Sequence, residues 1–237
     1  PLFNQINEDN LSFLLQSLTV LINDMQGEFE NGFLVLAYLL EKSSNKFINA
    51  ISIEQLKRMY YELNPQLRAN MLRNVFLNPS LWNDLQNDLV VKFVDFVVAV
   101  FNENKEWFIS NFSFTWIIFY IRVCFWVTFS DAETCIFTSD NKTYETQSTM
   151  KIVREKYWKL ALDISDISLT NDDFVNLYWM SLDTSDPTIA SEALETIISM
   201  LRRGNLKAVD YLHNNVTFKE YYPLLKTPYV SIHQQII

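Results

Sequence analysis

Glycine is scarce in this sequence of 237 residues, which contains only Gly27, Gly32 and Gly204. Tight turns between strands depend on glycine, so a many-stranded sandwich or barrel is disfavoured and helices are favoured. The glycine-rich patterns that hold phosphates, Gly-x-Gly-x-x-Gly and Gly-x-x-x-x-Gly-Lys, do not occur. The sequence therefore predicts no nucleotide cofactor.

Histidine and cysteine are rare as well. His213 and His233 do not lie beside a cysteine or a carboxylate cluster, and Cys124 and Cys135 lack the spacing of metal ligands. Zinc sites and nucleophilic triads need several of these side chains together. We therefore predict no metal site and no catalytic residue, and we expect that the protein is not an enzyme.

The acidic residues do not change this expectation. Asp172 and Asp173 are adjacent, but they fall in the first turn of a predicted helix, where carboxylates stabilise the helix dipole. Glu192 and Glu195 lie three residues apart on one face of another predicted helix, which indicates a solvated surface. Acid–base catalysis by these groups has no further residue to support it.

The net charge is −9, with 19 basic and 28 acidic residues. Such a charge repels phosphate backbones unless a basic patch overrides it. The densest basic sites are Arg202–Arg203 and Lys151–Lys159, and Glu155 interrupts the latter. Nucleic acid is therefore excluded as an expected partner. Since 49% of the residues are hydrophobic, we expect a folded chain rather than a disordered one.

The most apolar stretch is Phe114–Phe129. It is shorter than the roughly 20 residues that a bilayer core requires, and it carries Arg122 near its middle. We predict a buried helix at the centre of the fold rather than a transmembrane segment. The chain begins at Pro1 without a basic region followed by a cleavable apolar core, which indicates a fragment of a larger cytoplasmic protein.

Apolar residues recur at intervals of three and four along most of the chain, a pattern typical of amphipathic helices. Helices are predicted at about 11–25, 29–42, 52–63, 66–77, 88–102, 114–129, 152–164, 171–182 and 187–203. Ser52–Gln55 and Thr170–Asp173 have the pattern of helix starts, and Gly204 follows Arg202–Arg203 as a helix end would. No segment requires a strand, so the fold is predicted to be all-α.

Two further segments bear on the architecture. The helix at 88–102 has only one narrow polar or small stripe and is apolar elsewhere, as expected of an inner helix that is flanked on both sides. The stretch 130–148 loses all periodicity and is predicted to be a flexible insertion, with a contact site as the alternative.

The residues around Asp186–Pro187 resemble a HEAT or armadillo hairpin, in which two antiparallel helices are joined by a short turn. Alanine and leucine lie on the facing stripe. No strict repeat period runs through the chain. We therefore predict an irregular armadillo/HEAT-like α-α superhelix, or solenoid, that forms a single domain over residues 1–237.

A family resemblance supports this fold. Residues 31–42 resemble the Gly-Phe-Ala-Leu-x-x-Tyr-Leu-Leu-x-Lys signature in the armadillo-like region of BEACH-domain proteins, the beige, neurobeachin and LRBA-like group. Residues 76–82 and 105–126 are similar to two later elements of that region. The chain departs from the family at Ser113–Trp116 and Arg122–Trp126, where the family's glycine and aspartate are missing.

The resemblance implies a non-catalytic protein-interaction scaffold in vesicle trafficking and in endosomal and vacuolar (lysosomal) protein sorting. It implies partners among other proteins of membrane trafficking or other domains of the same parent chain. It places the protein in the cytoplasm, peripherally associated with endosomal or vesicle membranes. The abundance of asparagine and the divergence from the family pattern suggest a fungal member. No residue is marked as a binding residue.

A second hypothesis follows from the excess of aromatic and aliphatic residues between Phe93 and Phe129. If these side chains lined a cavity, the protein would be a lipid- or small-molecule-binding helical carrier. The simpler interpretation is that they pack against one another or against other parts of the parent chain.

Overall fold

Every regular element of the described chain is a helix. The structure is a computed structural model, and it describes residues 8–25, 46–77, 87–122, 141–183 and 187–215. The predicted helix at 29–42, the family motif at 31–42 and the residues Cys124, Cys135 and His233 lie outside these ranges. The all-helical prediction is thus confirmed for the part of the chain that the structure describes.

The chain divides into two compact units. Unit 1 comprises Pro1–Asn111 and Trp126–Lys156, and unit 2 comprises Phe112–Phe125 and Tyr157–Ile237. The prediction of a single domain over residues 1–237 concerns how these units combine, and it stays a prediction.

Unit 1 contains five complete α-helices among its described residues. They are α1 (Glu8–Asp24), α2 (Lys46–Glu62), α3 (Pro65–Met71), α4 (Asn87–Glu103) and α5 (Lys105–Asn111). A π-helical stretch, Leu72–Phe76, directly follows α3. The next helix, α6 (Asn141–Ser165), has its first part in unit 1 and its last part in unit 2.

Helix α1 packs against α2 through a short apolar stripe. Leu15 and Ile22 are buried, and between them Thr19 is buried because its hydroxyl donates to the Leu15 carbonyl at 2.8 Å. The apolar pattern of the predicted helix 11–25 also contains Leu14 and Met25, which the structure leaves exposed. The buried stripe is therefore narrower than the apolar pattern suggests.

Helix α2 begins at Lys46, so the predicted start at Ser52 is wrong. Ser52 lies inside the helix, where serine is tolerated at a small cost in helix propensity. A serine followed by glutamine three residues later fits a helix interior as well as a helix start. The next start, by contrast, is a true cap: the Asn64 side chain accepts from the Leu67 amide at 3.0 Å, and Pro65 is the first helical residue.

Helix α4 has the predicted division between polar and apolar faces. Lys92, Asp95, Ala99 and Asn102 are exposed, and Asp95 accepts a hydrogen bond from Lys156. The buried face consists of Val90, Phe93, Val94, Phe96, Val97, Val100 and Phe101. This helix contacts α2, α5 and the π-helical stretch, so it is the inner helix that its sequence predicts.

A cluster of polar contacts around Tyr61 lies at the edge of this core. The Tyr61 hydroxyl donates to Glu103 Oε1 at 2.6 Å, which joins α2 to the end of α4. Arg68 donates to the Tyr61 carbonyl at 2.7 Å, and its guanidinium lies 5.6 Å from the centre of the Tyr60 ring. Loss of solvent around the hydroxyl, and then the hydrogen bond to Glu103, raise the pKa of Tyr61 from 10.0 to about 12.

This raised pKa predicts a loss of stability at alkaline pH. Below pH 10 the Tyr61 phenol is neutral in both the folded and the unfolded chain, and its contribution to the free energy of unfolding is fully present. Between pH 10 and about 12 the phenol ionises in the unfolded chain but not in the folded one, so this contribution is lost as the pH rises. Glu103→Gln should lower the pKa of Tyr61. The titration of Tyr61 is measured as the part of the tyrosinate absorbance that is lost in Tyr61→Phe. An unchanged titration in Glu103→Gln would contradict the assignment.

Unit 2 contains helical residues 114–122, the end of α6, α7 (Asn171–Ser181), α8 (Pro187–Arg202) and α9 (Leu206–Asn215). The last three helices pack pairwise against one another. The α7–α8 pair is the predicted armadillo-like hairpin, and its facing stripe carries the predicted Ile189, Ala193, Leu194 and Ile197, all buried.

Helix α6 begins at Asn141, inside the stretch 130–148 that the sequence assigns to an insertion. Residues 130–140 lie outside the described ranges. The apolar pattern of the predicted helix 152–164 contains Ile152, Tyr157, Leu160 and Ile164. The last three are buried, but Ile152 is exposed and Val153 is buried in its place. The periodicity therefore identifies the helix but shifts its buried face by one residue at the start.

Residues 114–122 form a helix, as predicted, but they are buried on one face only. Phe114, Ile117 and Ile121 are buried, whereas Phe119 and Arg122 are exposed. The predicted burial of this helix is therefore confirmed for one face of residues 114–122 and wrong for the other. The cause is that an apolar composition does not show which side of a helix its neighbours cover. The remainder of the predicted helix, residues 123–129, lies outside the described ranges.

Helix α8 ends in a Schellman motif, which confirms the predicted glycine stop. Gly204 has a φ of 75°, its amide donates to the Leu201 carbonyl at 3.0 Å, and the Asn205 amide donates to the Met200 carbonyl at 3.1 Å. Arg203 then pairs with Asp163 and Asp166 at the end of α6, at 2.9 and 3.0 Å. The turn is thereby attached to a second helix.

Gly204→Ala should lower the free energy of unfolding by about 1–2 kcal/mol, because a side chain disfavours the left-handed conformation. A Cβ at this position would meet no atom within 4 Å, so steric clash adds nothing. Gly204→Asn should lose less, since asparagine tolerates this conformation. Chemical denaturation measures both. Equal losses for alanine and asparagine would show that the backbone conformation is not the cause.

Candidate interaction groove

A groove of about 660 Å³ lies in unit 2 between residues 114–122 and α7. Its lining consists of Thr115, Ile118, Phe119, Arg122, Asn176, Trp179, Met180, Leu182 and Asp183. We refer to these nine residues as the aromatic groove. All of them belong to two helices and the residues that directly follow α7.

The floor and walls of the aromatic groove are apolar. Ile118 and Met180 are buried and form the floor. Phe119 and Trp179 remain 55% and 47% exposed, so large aromatic surfaces face solvent. Exposed aromatic rings grouped in one place mark binding surfaces more often than isolated ones do.

The rim of the groove is polar. Thr115, Asn176 and Arg122 are exposed around the apolar floor, and Asp183 is half-buried. An apolar centre within a polar border is the usual anatomy of a protein–protein interface. Arg122 forms no ion pair or hydrogen bond with the residues that the structure describes.

The two walls of the groove are joined by one buried carboxylate. Asp173, at 7% exposure, accepts from the Thr115 hydroxyl at 2.6 Å. Its other oxygen accepts from the Thr170 amide at 3.1 Å and from the Thr170 hydroxyl at 2.6 Å. The Thr170 hydroxyl in turn accepts from the Asp173 amide, which completes a capping box at the predicted start of α7.

The opposite face of α7 is fully packed. Phe174 and Leu177 are buried, and the Phe174 ring lies 6.1 Å from that of Tyr211 on α9. Residues 114–122 are held in a similar way, since Tyr120 stacks on Tyr157 of α6 at 6.1 Å. The walls of the groove are therefore the outer faces of packed helices.

The predicted roles of the acidic residues are confirmed in part. Asp172 and Asp173 lie in the first turn of α7, and Asp172 is exposed, but Asp173 is a buried hydrogen-bond acceptor rather than a dipole partner alone. Glu195 is exposed as predicted. Glu192 is not simply solvated, because it accepts from the Trp158 indole at 2.8 Å.

His213 lies exposed in the last turn of α9. Within the described ranges, no group of three or more histidine, cysteine, aspartate or glutamate side chains is placed to hold a metal ion. Among the same residues, no helix is long and apolar enough to cross a membrane.

The sequence pattern did not identify the aromatic groove. One signal was available: Trp179 falls on the face of α7 opposite to Phe174 and Leu177, where a soluble helix usually carries a polar residue. An aromatic residue on the polar face of a helix is the kind of exception that indicates a binding surface.

These packed helical hairpins define the chain as an all-α protein of the alpha-solenoid class. Over residues 10–233 the sequence matches the model of the family described as Neurobeachin/BDCP, DUF4704 alpha solenoid region. The chain belongs to this family. No curated protein and no solved structure matches it.

The family match confirms the resemblance inferred from residues 31–42, 76–82 and 105–126. It also confirms the fold class, since the family model describes an alpha solenoid. A solenoid region of this kind is a scaffold-type structure. The fungal origin stays a prediction.

Asp173→Ala should lower the free energy of unfolding by about 2 kcal/mol, because it removes the buried carboxylate that accepts from the Thr170 amide, the Thr170 hydroxyl and the Thr115 hydroxyl. Asp172→Ala is the matched control: it removes the same charge from the same helical turn, but from an exposed side chain, and should cost about 0.5 kcal/mol. Chemical denaturation compares the two. Similar losses would show that Asp173 acts only through the helix dipole.

Proposed function

We propose that this chain is a non-catalytic protein-interaction scaffold segment of a BEACH-family protein that acts in vesicle trafficking and in endosomal and vacuolar (lysosomal) protein sorting. Its partners are other proteins of membrane trafficking or other domains of the same parent chain, and nucleic acid is not among them. It acts in the cytoplasm, peripherally associated with endosomal or vesicle membranes. The family assignment supports this proposal.

The observation that carries the proposal is the aromatic groove. Burial of a large apolar side chain such as Phe119 contributes about 1.5–3 kcal/mol, and tryptophan and arginine are over-represented among the residues that dominate binding energy. The groove presents Phe119, Trp179 and Arg122 together. Because its walls are packed helices, a partner would bind without ordering them first.

The alternative is a lipid- or small-molecule carrier. The volume of about 660 Å³ falls within the range of small-ligand pockets, which favours this alternative. Against it, the phenylalanines of α4 that suggested a cavity are buried against neighbouring side chains; Phe93 lies 5.0 Å from Phe76, ring to ring. Native mass spectrometry of protein purified from cells distinguishes the two, since a carrier would retain its ligand.

Trp179→Ala should remove trafficking proteins from the set that proximity labelling detects around the parent protein, and should impair sorting of a vacuolar or lysosomal cargo. The matched control is Phe13→Ala, which removes a 72% exposed aromatic ring from α1 in unit 1. Phe13→Ala should keep its thermal midpoint, because the ring is largely solvent-exposed. Trp179 is about half-buried, so circular dichroism must show that Trp179→Ala remains folded before its neighbours are compared. Normal sorting and an unchanged set of neighbours in Trp179→Ala would contradict the proposal.

A further inference from the structure

We propose that the aromatic groove binds a short amphipathic helix of a partner protein, with large apolar side chains along one face and a single carboxylate that pairs with Arg122. This inference rests on the proposed function, because it specifies the chemistry of a partner for a scaffold. It assigns the groove residues two tasks, in which the aromatic walls bind the apolar face and Arg122 selects the acidic residue.

The walls of the groove favour a helical ligand over an extended one. Both walls are α-helices, whose interior amides and carbonyls are paired within the helix. They offer no free sheet edge to which an extended peptide could add a strand. A helix brings its own backbone hydrogen bonds and needs only side-chain contacts, made by residues spaced three or four apart.

The charge of the rim favours a carboxylate on the ligand. Arg122 is exposed and forms no ion pair or hydrogen bond with the described residues, whereas Asp183 on the same rim is half-buried and is not free of interactions. A guanidinium beside an apolar floor binds a carboxylate through two parallel hydrogen bonds, and these are stronger where water is excluded. A basic ligand would leave Arg122 facing a like charge.

The net charge of the chain limits the ligand to one or a few acidic residues. At −9, the protein repels a long acidic tract, although the repulsion of distant exposed charges is screened beyond about 8 Å at physiological salt. A single carboxylate paired with Arg122 lies well within about 8 Å of the guanidinium, so its attraction to that cation is not screened. An amphipathic helix with one acidic residue fits both the local and the overall charge.

A membrane surface fits the groove less well. Anionic headgroups are attracted by clusters of several lysines and arginines, and the aromatic groove contains only one arginine. An acyl chain would match the apolar floor. The groove is open, however, so Trp179 and Met180 would cover only one side of the acyl chain. The test therefore includes vesicles as a competing outcome.

The experiment selects ligands from a peptide-display library in which one face of a helix is randomised, with the complete 237-residue chain as the immobilised target. The selected peptides should share large apolar residues at spacings of three and four, together with one aspartate or glutamate. Fluorescence anisotropy of a labelled selected peptide then gives its dissociation constant for each protein variant.

Arg122→Glu should weaken this peptide at least about tenfold, because an ion pair becomes a repulsion. Lys159→Glu is the matched control, since Lys159 is exposed on α6 in unit 2 and outside the groove; it should change the affinity less than about twofold. A peptide with lysine in place of its acidic residue should bind Arg122→Glu more tightly than it binds the original protein. Circular dichroism confirms that each variant is folded.

The remaining outcomes separate this inference from the proposed function. Selected peptides without an acidic preference, or an Arg122→Glu variant that binds normally, would contradict the inferred carboxylate on the ligand. The proposed scaffold function would not be affected by this outcome. Selection of proline-rich peptides without helical spacing would contradict the inference that the ligand is a helix. The protein could instead bind vesicles of phosphatidylcholine and phosphatidylserine, or associate with itself. If Trp179→Ala abolished either of these, the groove would bind a membrane or a second copy of the chain, and the inferred peptide ligand would be wrong. Peptide binding unaffected by Trp179→Ala would overturn the groove itself.

Discussion

The buried carboxylate of Asp173 connects three parts of unit 2. It accepts from the amide and the hydroxyl of Thr170, the residue that caps α7, and from the hydroxyl of Thr115 in residues 114–122. A carboxylate at 7% exposure is costly unless its oxygens are satisfied, and here each oxygen has a donor. Loss of the Thr115 contact would leave one buried carboxylate oxygen without a donor. The spacing of the two helices, and therefore the width of the aromatic groove, depends on this set of hydrogen bonds.

The parts of the fold that the sequence predicted are those that local chemistry determines. The capping box at Thr170 and the glycine stop at Gly204 each involve residues within one helical turn, and both have the predicted geometry. The polar stripe of α4 was predictable because only one narrow face lacks apolar residues. Ser52 shows the limit of such patterns, since a capping pattern that lies inside a longer helix looks the same in the sequence.

The aromatic groove was not predictable in the same way. Phe119 lies in the most apolar stretch of the chain, where every aromatic residue is expected to be buried. Its exposure depends on which face of the helix is covered by α6 and α7, and those contacts join residues far apart in the sequence. The sequence resemblance identified the family without indicating this surface, because the motifs that carry the resemblance are structural ones.

The hydrogen bond from Thr115 to Asp173 joins residues that are 58 positions apart. A fragment that ends before α7, or one that begins after residue 122, contains only one wall of the groove. Studies that map binding regions by shortening the chain from either end would lose binding with both fragments, and would assign the activity to two separate segments. The surface is discontinuous in the sequence, so point substitutions, rather than truncations, are the appropriate means to locate it.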